Sequence, residues 1–209
     1  MNTRATQISL FASAALIVAA CAAFTPKLDH YTPPPLGSSY VQTEHLTGSY
    51  GSGNVTNTIR RGERVWHGEK LIAYEGRSAA VLTRPDGSWV AIVRGNRPIL
   101  SWNPPVNWEY PLEVGKTWTR KASVTIHAAK RTVPYSATVK VEAYESVTVP
   151  AGTFKAFKVH QTDTFGNDNT DWLSPRLGIF IKRHLVRTAR SAQGPGTRDV
   201  EVVSQDIVK

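Results

Sequence analysis

The chain has 209 residues, with 25 Lys and Arg against 16 Asp and Glu, for a formal charge of +9. That length bounds the fold to one domain of ordinary size or two small ones. With 41% hydrophobic and 20% charged residues, the chain is too apolar to be disordered throughout and too polar for a polytopic membrane protein. Its single Cys excludes an internal disulfide and any cysteine-based zinc cluster.

In chain order, Met1 to Arg4 is a short basic n-region, and Ile8 to Ala20 reads ISLFASAALIVAA. As a helix this apolar run would reach only about 20 Å, short of the roughly 30 Å hydrocarbon core. Residues 1–20 therefore read as a signal peptide. The run closes on Val18-Ala19-Ala20-Cys21, which resembles the lipobox of bacterial lipoproteins. The resemblance implies that Cys21 becomes the lipidated first residue, carrying a thioether-linked diacylglycerol and a fatty acid such as palmitate on its amine. Several chains make such an anchor stable where one would not. Ala22 stands where enterobacterial lipoproteins retained in the inner membrane tend to have Asp. The implied address is therefore the outer membrane, with the body facing the periplasm. Residues 21–37 are rich in Pro (Pro26, Pro33, Pro34, Pro35) and read as an extended tether of roughly 45 Å.

From Ser38 to Lys209 no window sustains a helical apolar period. The clearest element is Val133 to Ala143, where apolar residues at odd positions alternate with Ser136, Thr138, Lys140 and Glu142. That pattern predicts a half-buried strand with one wet face. Ala122 to Ile126 alternates likewise and is expected to pair with it as a hairpin. Further strands are expected at 40–47, 55–60, 64–67, 71–74, 79–83, 89–94, 154–163, 179–188 and 199–204. Arg84-Pro85-Asp86-Gly87 and Val149-Pro150-Ala151-Gly152 carry hairpin turn chemistry, Pro fixing φ and Gly accepting the left-handed conformation. Adjacent hairpins predict an all-β fold: a single curved antiparallel sheet or open, barrel-like meander over residues 38–209. Asn103 to Pro111 (NPPVNWEYP) and the oxygen-rich Asp163 to Asp171 (DTFGNDNTD) read as irregular connections.

Three motifs occur in order: Pro111 to Trp118 (PLEVGKTW), Glu145 to Ala156 (ESVTVPAGTFKA) and Trp172 to Gly178 (WLSPRLG). Together they resemble the TapB-like secreted domains of unknown function. That resemblance implies a curved antiparallel sheet in the style of the LolA/LolB lipoprotein carriers, and it carries no activity.

Chemistry-bearing patterns are sparse. There is no Gly-x-Ser-x-Gly elbow and no Walker loop, and the six His are never spaced as an i,i+2 or i,i+4 ligand pair. The Asn/Asp-rich loop lacks the spacing and Glu of an EF-hand. No catalytic residue, metal or cofactor is assigned, and the expected role is non-catalytic. Six Trp and seven Tyr suit a ligand groove on a concave sheet. Trp102 and Trp108 flank the Pro-rich connection and are the candidate ligand-binding pair. Lys182, Arg183, Arg187 and Arg190 cluster near one strand as a candidate basic face. An exported, anchored chain meets anionic lipid or cell-wall polymer there rather than nucleic acid. The expected function is binding of an apolar or amphipathic envelope ligand. The alternatives are an envelope scaffold that works through the basic face, or an unrecognised hydrolase.

Overall fold

The computed structural model describes residues 26–208; Cys21 and the signal peptide lie outside them. The elements are β1 (Lys27–Leu28), β2 (Ser39–Leu46), β3 (Gly53–Trp66), β4 (Glu69–Glu75), β5 (Ala80–Thr83), β6 (Trp89–Arg94), β7 (Arg97–Val106), β8 (Leu112–Glu113), β9 (Thr117–Ile126), β10 (Arg131–Val149), β11 (Gly152–Asp163), β12 (Asn167–Ser174), β13 (Ile179–Arg187) and β14 (Gly196–Asp206). All strand pairs are antiparallel. Twelve strands form one sheet in the order β2 to β7, then β9 to β14, and β14 pairs β2 to shut it into a barrel. Each strand except at that seam lies beside its neighbour in the sheet's own sequence, the meander expected from the turn chemistry. The sheet is more than curved, because its ends meet. β1 and β8 make a separate two-residue ladder.

The alternation of β10 shows why the chain folds this way. Tyr135, Ala137, Val139 and Val141 are all buried, while Thr138, Lys140 and Glu142 are exposed. A bulge between Val141 and Ala143 then shifts the register, and beyond it Val147 and Val149, still at odd positions, are buried in a different cluster from Val139 and Val141. One extra residue on one strand turns the side chains that follow it to the opposite face of the sheet. Beyond the bulge, the β10–β11 hairpin tip packs on β13 and β14, with Val147, Val149, Phe154, Ala156, Ile179, Ile181 and Val202 in one cluster. Ala151 N–H donates to the Val202 carbonyl there.

A second core lies across β4, β5 and β6. Ala73, Leu82 and Ala91 are cross-strand partners and pack with Leu71, Ala80, Val93 and Trp66. Tyr74 and Val81, one residue away on the same strands, point the opposite way. The sheet curls back over this face: Arg64 on β3 reaches the Gly95 carbonyl in the β6–β7 turn at 2.7 Å.

Two strands of the barrel were not expected. β7 runs through Pro98, Pro104 and Pro105, and the register shifts against β6, with the extra residues on β7 itself, fall at these prolines. β12 begins at Asn167, inside the stretch read as a loop. Its polar side chains are satisfied across the sheet: His160 Nε2 lies 2.6 Å from Asp168, Val186 N–H donates to Asn169, and Asp171 accepts from Arg183. Only residues 164–166 form the turn, capped by Asp163, which accepts from the N–H groups of Phe165 and Asn167.

The stretch 26–37 departs most from expectation. Sequence alone makes it part of a free tether, yet it is packed on the barrel as a strap. Lys27 and Leu28 pair with Glu113 and Leu112, Pro34 is buried, and Gly37 N–H donates to the Arg61 carbonyl. Aromatic and apolar residues between the prolines, Leu28 and Tyr31, give the strap something to bury, which an open spacer lacks.

Candidate functional site

The strap crosses one side of a cavity of about 110 Å³. Its walls come from across the chain: Tyr31 from the strap, Tyr40 from β2, Tyr74 from β4, Trp89 from β6, Trp108 and Tyr110 from the β7–β8 connection, and Phe180 from β13. Register explains the convergence. Tyr74 and Val81 are cross-strand partners, Trp89 faces both Thr83 and Val106, and Leu173 faces Phe180. All of these residues line the cavity.

Tyr31 sits at the centre of the strap's contact. Its hydroxyl lies 2.7 Å from that of Tyr74 and donates to the Gly178 carbonyl at 2.8 Å. Two turns are shaped around it. A Cβ on Gly87 (φ +84°) would stand 3.0 Å from the Tyr31 ring, and one on Gly178 (φ +66°) would collide with the Thr32 carbonyl. Both glycines are needed for left-handed φ and for close approach at once. Burial holds the phenols of Tyr31, Tyr40, Tyr74 and Tyr110 above their ordinary value. They stay protonated, and that of Tyr31 donates as described.

The charged residues lining the cavity are Arg120 from β9 and Arg183 from β13. Arg183 Nε donates to Asp171 Oδ1 at 2.6 Å, and its guanidinium lies over the Phe180 ring, 4.7 Å from the centroid. It is thus both paired and stacked. Arg120 is placed differently. Its Nη1 reaches the Asn107 carbonyl at 3.3 Å, its Nε is buried without a partner, and no ion pair to it is formed among the described residues. Burial lowers the guanidinium's pKa, with the neighbouring Tyr135 hydroxyl acting against that shift.

The sequence-predicted site residues are scattered. Trp108 lines the cavity, edge-on to Phe180 with centroids 5.3 Å apart. Trp102 is not on the wall; it stands behind it, edge-on to Trp89 at 6.0 Å. The four basic residues do not share a face, because neighbours on a strand point to opposite sides. Lys182 lies beside Trp172 and donates to Glu201 at 2.8 Å. Arg183 turns inward to the cavity. Arg187 stacks on Tyr50, 3.8 Å from the centroid, and donates to the Ser49 carbonyl. Arg190 is exposed in the β13–β14 connection. Cys21 lies outside the described residues.

Reasoning from sequence missed Tyr31, Tyr74, Arg120 and the inward role of Arg183. The only signal for Arg183 is Asp171, its cross-strand partner, and that pairing needs the topology to be seen. Among the described residues no three His, Cys, Asp or Glu side chains gather as a metal site.

No family model matches the chain, and no curated protein matches it, so the TapB-like resemblance rests on its three motifs alone. Among solved structures, the chain is similar to a candidate lipoprotein from Parabacteroides distasonis, at 10% identity and a TM-score of 0.41 over 86% of this chain and 99% of that one. It is similar to a candidate exported protein with a YmcC-like fold from Bacteroides fragilis, at 11% identity and a TM-score of 0.43 over 85% and 99%. A third is the hypothetical lipoprotein YmcC from Escherichia coli, at 12% identity and a TM-score of 0.35 over 82% and 86%.

Proposed function

We propose that the chain is a lipoprotein anchored through Cys21 in the outer membrane, whose periplasmic barrel binds a small amphipathic ligand without transforming it. The anchor is supported by the Val18-Ala19-Ala20-Cys21 pattern after an apolar run too short to span a bilayer. The observation that carries the binding reading is the aromatic-walled cavity of about 110 Å³ with two arginines in its wall. Concave, mostly apolar sites with a few convergent polar groups are the usual form of small-ligand sites. Its size is on the scale of the ~150 Å³ cavities that admit a benzene-sized molecule. A ligand of that size, or the end of a single chain, fits it; a whole diacyl lipid does not. The basic-face scaffold loses support, because Lys182, Arg183, Arg187 and Arg190 point in different directions.

Native mass spectrometry of the full-length protein released from its membrane tests the binding reading. The expected result is a reproducible small-molecule adduct that disappears in Trp108→Ala. A clean apo mass across independent preparations, with the protein folded, overturns it.

A further inference from the structure

The charge balance of the cavity narrows what would enter it. Arg183 is neutralised by Asp171, whereas Arg120 has a carbonyl and a phenol beside it and no carboxylate within ion-pair distance among the described residues. A guanidinium is not deprotonated in a protein, even where burial disfavours its charge. The site therefore holds one positive charge removed from bulk water with no carboxylate in contact: Asp171, already paired with Arg183, and Asp163 act on it only from beyond ion-pair distance, and such a charge is costly until an anion meets it. Around it stand flat apolar faces, those of Trp89, Trp108, Tyr110 and Phe180.

We infer that the ligand is a small monoanion with a flat apolar body, an aromatic or cyclic carboxylate whose carboxylate is received by Arg120 while the ring lies among the tryptophans. This rests on the cavity being a binding site at all. A planar guanidinium fork matches a carboxylate in geometry as well as charge. A neutral ligand of the same shape leaves Arg120 uncompensated. A cation adds to the charge already there. A dianion brings one charge too many into a space that holds a single unpaired positive group.

The experiment uses full-length protein in neutral phosphatidylcholine vesicles and fluorine relaxation of three probes: 4-fluorobenzoate, 4-fluorobenzyl alcohol and 4-fluorobenzylamine. Protein-free vesicles are the blank. The expected result is at least tenfold tighter binding of the benzoate than of the alcohol, with no binding of the amine. Arg120→Gln should weaken the benzoate about tenfold or more and leave the alcohol within twofold, while Arg120→Lys keeps the preference for the anion. Equal affinities for benzoate and alcohol, or benzoate binding unchanged in R120Q, overturn the carboxylate assignment and leave the cavity standing as a site. Absence of all three probes from folded wild-type protein overturns the cavity reading itself. Where R120Q proves unfolded, the ranking of the three probes on wild-type protein decides alone.

Discussion

Tyr31 reaches out of the strap to Tyr74 on β4, hydroxyl to hydroxyl at 2.7 Å, and so ties the segment next to the proposed membrane anchor to the cavity wall. The strap is otherwise held by a two-residue ladder, the exposed pair of Lys27 with Glu113, buried Pro34 and the Gly37 N–H on the Arg61 carbonyl. The close fit of Tyr31 and Thr32 against Gly87 and Gly178 is what seats it.

The first prediction concerns that fit. Gly178→Ala should dislodge the strap, because the new methyl group collides with the Thr32 carbonyl at a position that also requires left-handed φ. The expected loss is about 2–3 kcal/mol, read as a lower urea midpoint, together with new protease cleavage between residues 27 and 37. A G178A protein as stable and as resistant as wild type would show that the strap is not seated there.

The pair of Asp171 with Arg183 should be worth much more intact than half-removed. Asp171→Asn leaves the Arg183 guanidinium inside the barrel without its partner, for an expected cost of about 3 kcal/mol in chemical unfolding. The double variant D171N/R183M should recover part of that loss, since it removes the stranded charge as well. A double variant less stable than D171N alone would refute this account of the pair.

Acid should act through Glu44. Burial raises its carboxyl pKa, but hydrogen bonds from Arg198, Gln42 and Asn57, with the Arg198 charge, bring it below the ordinary value. A carboxyl whose folded value is depressed contributes stability that is fully present above its unfolded value, about 4.3. That contribution is lost as pH falls through the lower, folded value. Urea midpoints followed from pH 6 to pH 3 should therefore fall more steeply in wild type than in Glu44→Gln. Parallel curves would remove Glu44 from the acid response.

Anchoring gives the fourth prediction. Cys21→Ser should abolish incorporation of labelled palmitate and release the protein from the membrane fraction. Continued lipid labelling of C21S would displace the anchor from Cys21.

The fold was more legible than the site, for a physical reason visible in single elements. Val133 to Val141 alternates because one face of β10 is wet, and a period of two survives in the sequence. The turn at Pro150 and Ala151 was legible because proline and glycine have few other uses. β12 was not, since Asp168, Asn169 and Asp171 look like loop residues until their partners on β11 and β13 are known. Trp108 was legible as an aromatic beside prolines. Tyr31, Tyr74, Arg120 and Arg183 converge only through four separate elements, and no local pattern records such a meeting. The basic cluster was counted along the chain, while a strand sends the neighbours Lys182 and Arg183 to opposite faces.

The seam between β2 and β14 governs the order in which this protein can be made. Leu46 waits for Arg198 and Ser39 for Asp206, partners more than 150 positions later, while the other hairpins need only their immediate neighbour. Hairpins can form as the chain emerges, but the ring stays open until its last strand arrives. Until then β2 and β13 both present bare hydrogen-bonding edges, to which another unfinished copy could add. Loss of the chain from Gly196 onward, β14 included, would make that interval permanent and turn a self-contained protein into one prone to join its neighbours.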